Sequence, residues 1–277
     1  DYSPQAMVLH RDGIVGTWTR PTSVIDQHTD EQAAVTPGEH LHLWHAWVRA
    51  HVVDFDLQCK LQFGPDAANG GYTLWHADVD AANPAATTVQ PIVNMVRPPD
   101  PTNPANPFWL DQLDIVANWA DQRDERAEEI LTQLSPPIVY WATILYLHPE
   151  RRKWTIELIG AALRLANYAE MRFKHALACR RPLEFNAQLQ PMILTPGHGS
   201  LPSGHATEAH IVAYVLWKLV KSKEAGKDPN NWLEQLMRQA ARVAINRTVA
   251  GVHFPVDSAA GQLLGLTLGE YFVHRAS

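Results

Sequence analysis

Long hydrophobic runs are missing from this 277-residue sequence, although 46% of its residues are hydrophobic. Even the apolar run from Ile211 to Val220 is interrupted by Lys218, whereas a membrane helix needs about 20 consecutive apolar residues. We therefore expect a soluble globular chain with one large core or two small ones and no insertion into a membrane.

Positive charge is also scarce, since 23 Lys and Arg face 29 Asp and Glu and give a formal net charge of −6. A protein that binds the nucleic-acid backbone needs Lys and Arg clustered on one face. The charge balance therefore argues against nucleic acid as a partner.

Cysteine is nearly absent: Cys59 and Cys179 lie far apart, and neither belongs to a C-x-x-C motif. This spacing excludes a zinc ribbon and a disulfide framework, and leaves a single bridge within or between chains open. The sequence starts with Asp1 rather than Met, which is compatible with a removed signal peptide. It slightly favours a secreted or periplasmic location over a cytoplasmic one, and the compartment stays open.

Helix signals dominate what the sequence does contain, and they predict an all-α fold in a single domain over residues 1–277. In residues 1–107, the capping pattern at Thr36 opens a helix predicted from about 37 to 57. An irregular excursion rich in Pro, Asn and Gly follows from Gly64 to Pro107, for which a linker is the alternative interpretation. Residues 108–277 are predicted to form the helical core, with helices at about 108–120, 123–134, 136–147, 151–179, 204–223, 229–247 and 256–273.

Three cations are predicted to point towards the interior of this core. Lys174 and Arg247 extend the apolar stripes of their helices at helical spacing, and Arg181 shares the direction of Lys174 if the helix continues to Pro182. Buried cations are costly unless an anion meets them. A bound anion is therefore the favoured interpretation, with extended stems that reach solvent, or internal salt bridges, as the alternative.

The segment GSLPSGHATEAH, residues 199–210, supplies a second anion-binding feature. A helix that begins near Gly204 presents free backbone N–H groups and the positive end of its dipole, and Gly204 permits close approach. Ser203 adds a hydroxyl, and His205 lies on the inner stripe of that helix. A serine hydrolase is disfavoured, because no G-x-S-x-G surrounds Ser203.

A histidine and an aspartate follow at a spacing of four residues. Asp257 can accept a hydrogen bond from one nitrogen of His253 and leave the other as an outward lone pair. Such a histidine is a nucleophile or a metal ligand. A local His–Asp capping pair is the alternative if the stretch is considered alone.

Three separated blocks carry these residues in a fixed order and spacing. They are KHALACRRP with Lys174, Arg181 and Pro182, then PSGH from Pro202 to His205, then NRTVAGVHFPVD with Arg247, His253 and Asp257. Together they resemble K-x6-RP, PSGH and SR-x5-H-x3-D, the signature of the type 2 phosphatidic acid phosphatase and vanadium haloperoxidase superfamily. The resemblance covers about residues 150 to 270, and Asn246 stands where the pattern has Ser.

The resemblance implies a helical bundle of that type with an oxyanion cage, defined here as Lys174, Arg181, Ser203, Gly204, Arg247 and His253. In the phosphatase branch, His253 would attack phosphorus, His205 would protonate the leaving group and Asp257 would orient His253. In the haloperoxidase branch, the cage would hold vanadate with His253 as the vanadium ligand, and His205 would act as acid–base partner. Lys174 would then polarise bound peroxide. Phosphate is expected to occupy the same cage.

Sequence features favour a bromoperoxidase over a soluble acid phosphatase. Ala206 follows PSGH as in many haloperoxidases, and His198 stands where bromoperoxidases carry a second active-site histidine, with a solvated loop histidine as the alternative. The implied reaction uses hydrogen peroxide to oxidise bromide or iodide, which then halogenates a small organic acceptor. We also expect a homo-oligomer, and either Asp111 or Asp114 as a brace for a caged arginine.

Overall fold

The computed structural model describes residues 41–68, 70–78, 87–99, 106–135, 138–223 and 230–276. The chain divides into two compact units, Asp1–Arg49 and Ala50–Ser277. Of the first unit, only residues 41–49 are described, and they include a short 3₁₀ turn at Leu41–Leu43. The start of the helix predicted at Pro37 lies outside the described residues, and the single domain over 1–277 stays a prediction.

Helices make up most of the described chain, so the all-α expectation is correct as a coarse statement. From residue 107 onwards, the bounds of the predicted helices agree with the structure to within a few residues, because apolar residues at helical spacing mark each buried face. The first helix begins at Ala46 and not near residue 37, since residues 41–45 form a 3₁₀ turn and a bend. A short helix at Pro182–Phe185 was not predicted. The helices are α1 (Ala46–Gln58), α2 (Pro107–Trp119), α3 (Arg123–Thr132), α4 (Ile138–Leu145), α5 (Pro149–Leu177), α6 (Pro182–Phe185), α7 (Gly204–Lys223), α8 (Asn230–Val249) and α9 (Pro255–Ala276).

Helix α7 lies at the centre of the core and packs against α5, α8 and α9. Its buried side chains face several directions, as expected for a helix enclosed by neighbours. They are Ala206, Thr207, Ala209, His210, Ile211, Val212, Ala213, Val215 and Leu216. The PSGH block therefore leads directly into the central helix of the core.

The excursion predicted as irregular over 64–107 contains most of a three-stranded antiparallel sheet, which corrects that prediction. Its strands are β1 (Leu61–Pro65), β2 (Tyr72–Asp78) and β3 (Thr88–Met95), in the order β1-β2-β3 with Leu61 opposite His76 and Leu74 opposite Val93. Gly70 and Gly71 have φ of 72° and 88° and form the turn before β2. Glycine-rich turns join short strands, and the Pro, Asn and Gly content obscured this hairpin signal.

The sheet belongs to the main core. Leu61, Leu74 and Val93 are buried in the same cluster as α5 and α7 side chains. The Phe63 ring meets Phe173 of α5 edge to face, with centroids 5.9 Å apart. The sheet thereby covers one side of α5, the helix that carries Lys174.

Two further expectations concern membrane insertion and a disulfide bridge. Among the described helices, none is both long and apolar enough to cross a bilayer. Cys59 is exposed and Cys179 is buried, and both are free thiols.

Close approach of α7 and α9 depends on Gly261, Gly265 and Gly269. A Cβ on Gly265 would lie 2.4 Å from the Thr207 carbonyl oxygen, and one on Gly261 would lie 2.6 Å from the Ser203 carbonyl oxygen. These contacts are backbone atoms, which cannot rotate away. The glycines therefore set the distance between the two helices.

We predict that Gly265→Ala lowers the free energy of unfolding by about 1–3 kcal/mol, because α9 must move away from α7 despite the better helix propensity of alanine. The control is Gly197→Ala, whose Cβ would meet nothing within 4 Å and which should change stability by about 0.5 kcal/mol or less. Urea unfolding curves of both variants measure the difference. Equal stability of the two variants would refute the role of Gly265.

Candidate active site

Five charged or polar side chains from separate segments converge below the start of α7. Lys174 comes from α5, Arg181 precedes α6, Ser203 precedes α7, Arg247 comes from α8 and His253 precedes α9. Each is at most 4% exposed. The structure thus brings together the residues predicted for the oxyanion cage, and the predicted direction of Lys174 and Arg247 is correct.

Arg181 reaches the cage by a different route from the one predicted. Helix α5 ends at Leu177, and Ala178 adopts a left-handed conformation with φ of 46°. Arg181 is extended, as expected before Pro182. Its side chain points inward because of this turn, not because it continues the helical stripe of Lys174.

The His253 ring is fixed by a partner on each nitrogen. Its Nδ1 lies 3.1 Å from Asp257 Oδ2, and Arg181 Nη1 lies 2.9 Å from its Nε2. A carboxylate accepts and a guanidinium donates, so Nδ1 carries the hydrogen and Nε2 carries the lone pair. The lone pair is therefore held by Arg181, one of the cations of the cage.

Asp257 does more than hold His253. Its Oδ2 also accepts hydrogen bonds from the Phe254 N–H at 3.0 Å and from the Ser200 hydroxyl. The capping interpretation is thus correct for part of its role, since the Phe254 bond lies at the start of α9. The same carboxylate links this cap to the imidazole.

Lys174 is surrounded by carbonyl oxygens. Its Nζ lies 3.3 Å from the Gly199 and Ser200 oxygens and 2.5 Å from the Pro202 oxygen. Burial lowers its pKa to about 8, while the nearby Glu170 carboxyl opposes that shift. The loop before α7 is therefore wrapped around this ammonium group.

Arg247 has the least complete set of partners. Its Nη2 donates to Gln133 Oε1 at 2.9 Å and to the Ile130 carbonyl oxygen at 3.3 Å. Its buried Nε and Nη1 meet no acceptor among the residues that the structure describes. Burial lowers its pKa only to about 10, so the guanidinium stays charged and two donors are available to an anion.

The His205 ring lies at the edge of the cage. Its Nε2 is 2.7 Å from the Gln133 carbonyl oxygen, so Nε2 carries the hydrogen and Nδ1 has the lone pair. Burial and the charge of Arg247 lower the pKa of His205 to about 4. His205 is therefore neutral near pH 7 when the cage holds no anion.

Gly204 permits close approach of a carboxyl group. A Cβ at this position would lie 2.6 Å from Glu170 Oε1. Burial and the neighbouring Glu208 raise the pKa of Glu170 to about 8, and burial raises the pKa of Glu208 to about 7. At pH 7, Glu170 is thus largely protonated and Glu208 is about half protonated, so together they cancel only part of the positive charge of the cage. An anion-binding role for Gly204 stays a prediction.

A small cavity lies beside His205 and Glu208. Its other walls are apolar side chains from α4, α5, α7 and α8, namely Ile138, Trp141, Ile159, Leu163, Ala209 and Val243. The cavity places nonpolar surface next to the histidine predicted to protonate a leaving group.

His198 lies against the outer side of Arg181. Its Nδ1 is 3.2 Å from Arg181 Nη2, and burial lowers its pKa. His198 is an exposed loop residue, as the solvated-loop alternative expects, and its ring also contacts the cage residue Arg181. A halide-related role stays a prediction.

Sequence reasoning missed Ser200 and Gln133. Both are fully buried, and they contact Asp257 and Arg247 respectively. The proposed braces Asp111 and Asp114 are instead exposed. Ser200 lies three residues before Ser203, so only its proximity to PSGH could have drawn attention to it. Gln133 lies 114 residues from Arg247, and no local pattern marks it.

Comparison with known families matches residues 155–276 to the PAP2 superfamily. A solved structure titled as the first transmembrane PAP2 type phosphatidylglycerolphosphate phosphatase from Bacillus subtilis is similar at 20% identity and a TM-score of 0.39. The similarity covers 61% of this chain and 77% of that chain. No curated protein sequence matches the chain.

The matched region contains the buried cage. Lys174, Arg181, the PSGH block and the His253–Asp257 pair all fall inside the matched residues, whereas Gln133 falls outside them. Residues 155–276, less than half of the chain, are therefore similar to the PAP2 superfamily.

Proposed function

We propose that this protein is a phosphatase that hydrolyses phosphate monoesters through a covalent phosphohistidine at His253. The observation that carries the proposal is the oriented His253 ring, whose Nε2 lone pair lies in a buried cage of cations. The match to the PAP2 superfamily supports the same chemistry. The soluble acid phosphatase was the alternative that the sequence left open, and it is the main candidate here.

The nucleophile is activated by its surroundings. Asp257 accepts the Nδ1 hydrogen and stabilises the positive charge that develops on His253 as Nε2 attacks phosphorus. The P–N bond forms while the bond between phosphorus and the leaving oxygen breaks. Arg181 donates a hydrogen bond to Nε2 in the free protein. A substrate oxygen must therefore accept this hydrogen bond instead before Nε2 can attack.

The unpaired donors of Arg247 and the Lys174 ammonium then face the charge on the transferring phosphoryl group. Fixed donors that meet developing charge in a buried site give the largest electrostatic contribution to catalysis. His205 protonates the leaving oxygen, and apolar side chains line the small cavity beside it. Water then attacks phosphorus while His205 accepts its proton, and the P–N bond breaks to release phosphate and regenerate His253.

We predict that the protein hydrolyses an aryl phosphate without added metal and that orthovanadate inhibits it competitively. His253→Ala should reduce kcat by roughly 10⁴-fold or more, because the nucleophile is lost. His175→Ala is the matched control, since this exposed histidine of α5 follows Lys174 in the chain but lies on the outer surface. Equal hydrolysis by the His253 and His175 variants would overturn the proposal.

Protonation of His205 must accompany anion binding if His205 is the acid. Burial and the charge of Arg247 keep the pKa of His205 at about 4 in the free protein. A bound dianion would offset the charge of Arg247 and raise the pKa of His205. We therefore expect sulfate, which does not itself titrate near neutral pH, to bind with proton uptake. Its affinity should increase as pH falls.

Calorimetry in two buffers of different ionisation enthalpy measures this proton uptake. His205→Asn should take up fewer protons than the wild type. The uptake that remains in the variant would come from Glu170 and Glu208, whose pKa values are raised in the free protein. Identical uptake in both proteins would contradict the assignment of His205 as the acid.

A vanadate-dependent bromoperoxidase is the second candidate, and the contact between His198 and Arg181 favours it. The donor set fits vanadate, since Lys174, Arg181 and Arg247 would hold its oxygens and His253 would bind vanadium. When bound, vanadate would supply Lewis-acid activation of hydrogen peroxide. His198 would then lie beside the cage, where a halide would approach.

This candidate predicts a different response to the same reagent. After incubation with orthovanadate, the protein should brominate a 1,3-diketone in the presence of hydrogen peroxide and bromide, and phosphate should suppress the reaction. His198→Ala should reduce bromination more than it reduces anion binding. Vanadate-inhibited hydrolysis without bromination would exclude the peroxidase and retain the phosphatase.

A further inference from the structure

A chain of hydrogen bonds leads from the surface to Arg247 through one buried amide. Arg242 binds the Glu129 carboxylate through Nε and Nη2 at 2.9–3.1 Å. Gln133 Nε2 donates to Glu129 Oε1 at 3.2 Å, and Gln133 Oε1 accepts from Arg247 Nη2 at 2.9 Å. The Gln133 amide therefore separates the carboxylate from the cation.

The orientation of this amide is determined by its neighbours. Arg126 Nη1 donates to Asn246 Oδ1 at 3.1 Å, so Asn246 presents its Nδ2 donor to Gln133 Oε1 at 3.0 Å. Donors and acceptors then alternate along the whole chain, and a flipped Gln133 would oppose donor to donor. Asn246, the departure from the Ser of the family pattern, is thereby explained as a partner of Gln133.

The backbone of the same residue holds His205. The Gln133 carbonyl oxygen accepts from His205 Nε2 at 2.7 Å, which fixes the tautomer that leaves Nδ1 as the proton acceptor. Gln133 itself is fully buried at the end of α3. Gln133 thus contacts both Arg247, whose Nε and Nη1 have no acceptor among the described residues, and His205, the histidine proposed as the acid.

A neutral side chain at this position has an electrostatic consequence. A carboxylate against Arg247 would pair its charge inside the protein and weaken its attraction for an incoming anion. An amide binds the same nitrogen without a full opposite charge. Arg247 is consequently anchored at Nη2 while its Nε and Nη1 remain available.

We propose that Gln133 is a positioning residue of the oxyanion cage, whose neutral amide anchors Arg247 without cancelling its charge and whose carbonyl orients His205. This inference rests on the proposed oxyanion chemistry of the cage. It concerns a residue outside the region matched to the PAP2 superfamily.

The most direct test exchanges the amide and the carboxylate in the double variant Glu129→Gln, Gln133→Glu. This exchange retains a hydrogen bond between positions 129 and 133 and moves the negative charge one helical turn towards Arg247. The single variant Glu129→Gln is the reference, because it accounts for the lost contact with Arg242. Calorimetric titration with inorganic phosphate gives the affinity of each protein.

We expect the double variant to bind phosphate about tenfold or more weakly than Glu129→Gln. An affinity within about twofold of that reference would overturn the inference. Absence of phosphate binding by the wild type would instead overturn the proposed function together with this inference. The two failures are therefore distinguishable.

A third variant distinguishes positioning from packing, and it provides a test even if the double variant folds poorly. Gln133→Met keeps the approximate size of the side chain, removes the acceptor of Arg247 and leaves the charge of Arg247 unpaired. We expect a several-fold loss of phosphate affinity, smaller than that of the double variant, and a raised KM for an aryl phosphate. Thr132→Ala, an exposed change at the same helix end, is the control and should bind phosphate like the wild type.

Thermal unfolding of each variant supplies the readout that distinguishes the two roles. If Gln133 only packs, Gln133→Met lowers the melting temperature and leaves the phosphate affinity at the Thr132→Ala value, which would overturn the inference. Equal losses of affinity in Gln133→Met and in the double variant would refute the role of its neutral charge. A larger loss of phosphate affinity in the double variant, which carries a carboxylate at position 133, than in Gln133→Met supports the role of the neutral amide.

Discussion

Buried positive charge in excess of the negative charge around it is the constraint on which this domain depends. Lys174, Arg181 and Arg247 are at most 2% exposed, and each buried ion costs several kcal/mol unless it is compensated. Carbonyl oxygens from the loop before α7 surround Lys174. The Val252 carbonyl oxygen and His253 Nε2 accept hydrogen bonds from Arg181. These dipoles reduce the cost without cancelling the charge, and we therefore propose that an anion completes the site.

The fold meets this constraint by placing the cage at the start of its central helix. Gly261 and Gly265 bring α9 against the first turns of α7, and the Ser203 N–H donates to the Asp257 carbonyl oxygen at 2.9 Å. The segment that leads into α7 is thus tied to the segment that orients His253. The packing of α9 against α7 and the relative position of Ser203 and His253 therefore depend on neighbouring contacts.

Local patterns predicted most of the helices and the direction of Lys174 and Arg247, because helical periodicity places apolar and charged side chains on the same face. The His253–Asp257 contact spans four residues and was equally accessible. The strands were missed because short segments lay among Gly and Pro, and the route of Arg181 was missed because it depends on the left-handed Ala178. Gln133 gave no signal, since its contacts form only in the tertiary structure. The cage also leaves phosphatase and peroxidase open, because both chemistries use the same donors.

The central claim is that the cage binds a tetrahedral oxyanion against His253. A crystal structure of the wild-type protein grown with orthovanadate tests it most directly. We predict density in the cage with vanadium bonded to His253 Nε2, Arg181 Nη1 released to an oxygen, and further oxygens on Arg247 Nε and Nη1. A structure in which Arg181 still donates to His253 Nε2 and the cage holds no anion at saturating vanadate would contradict the claim.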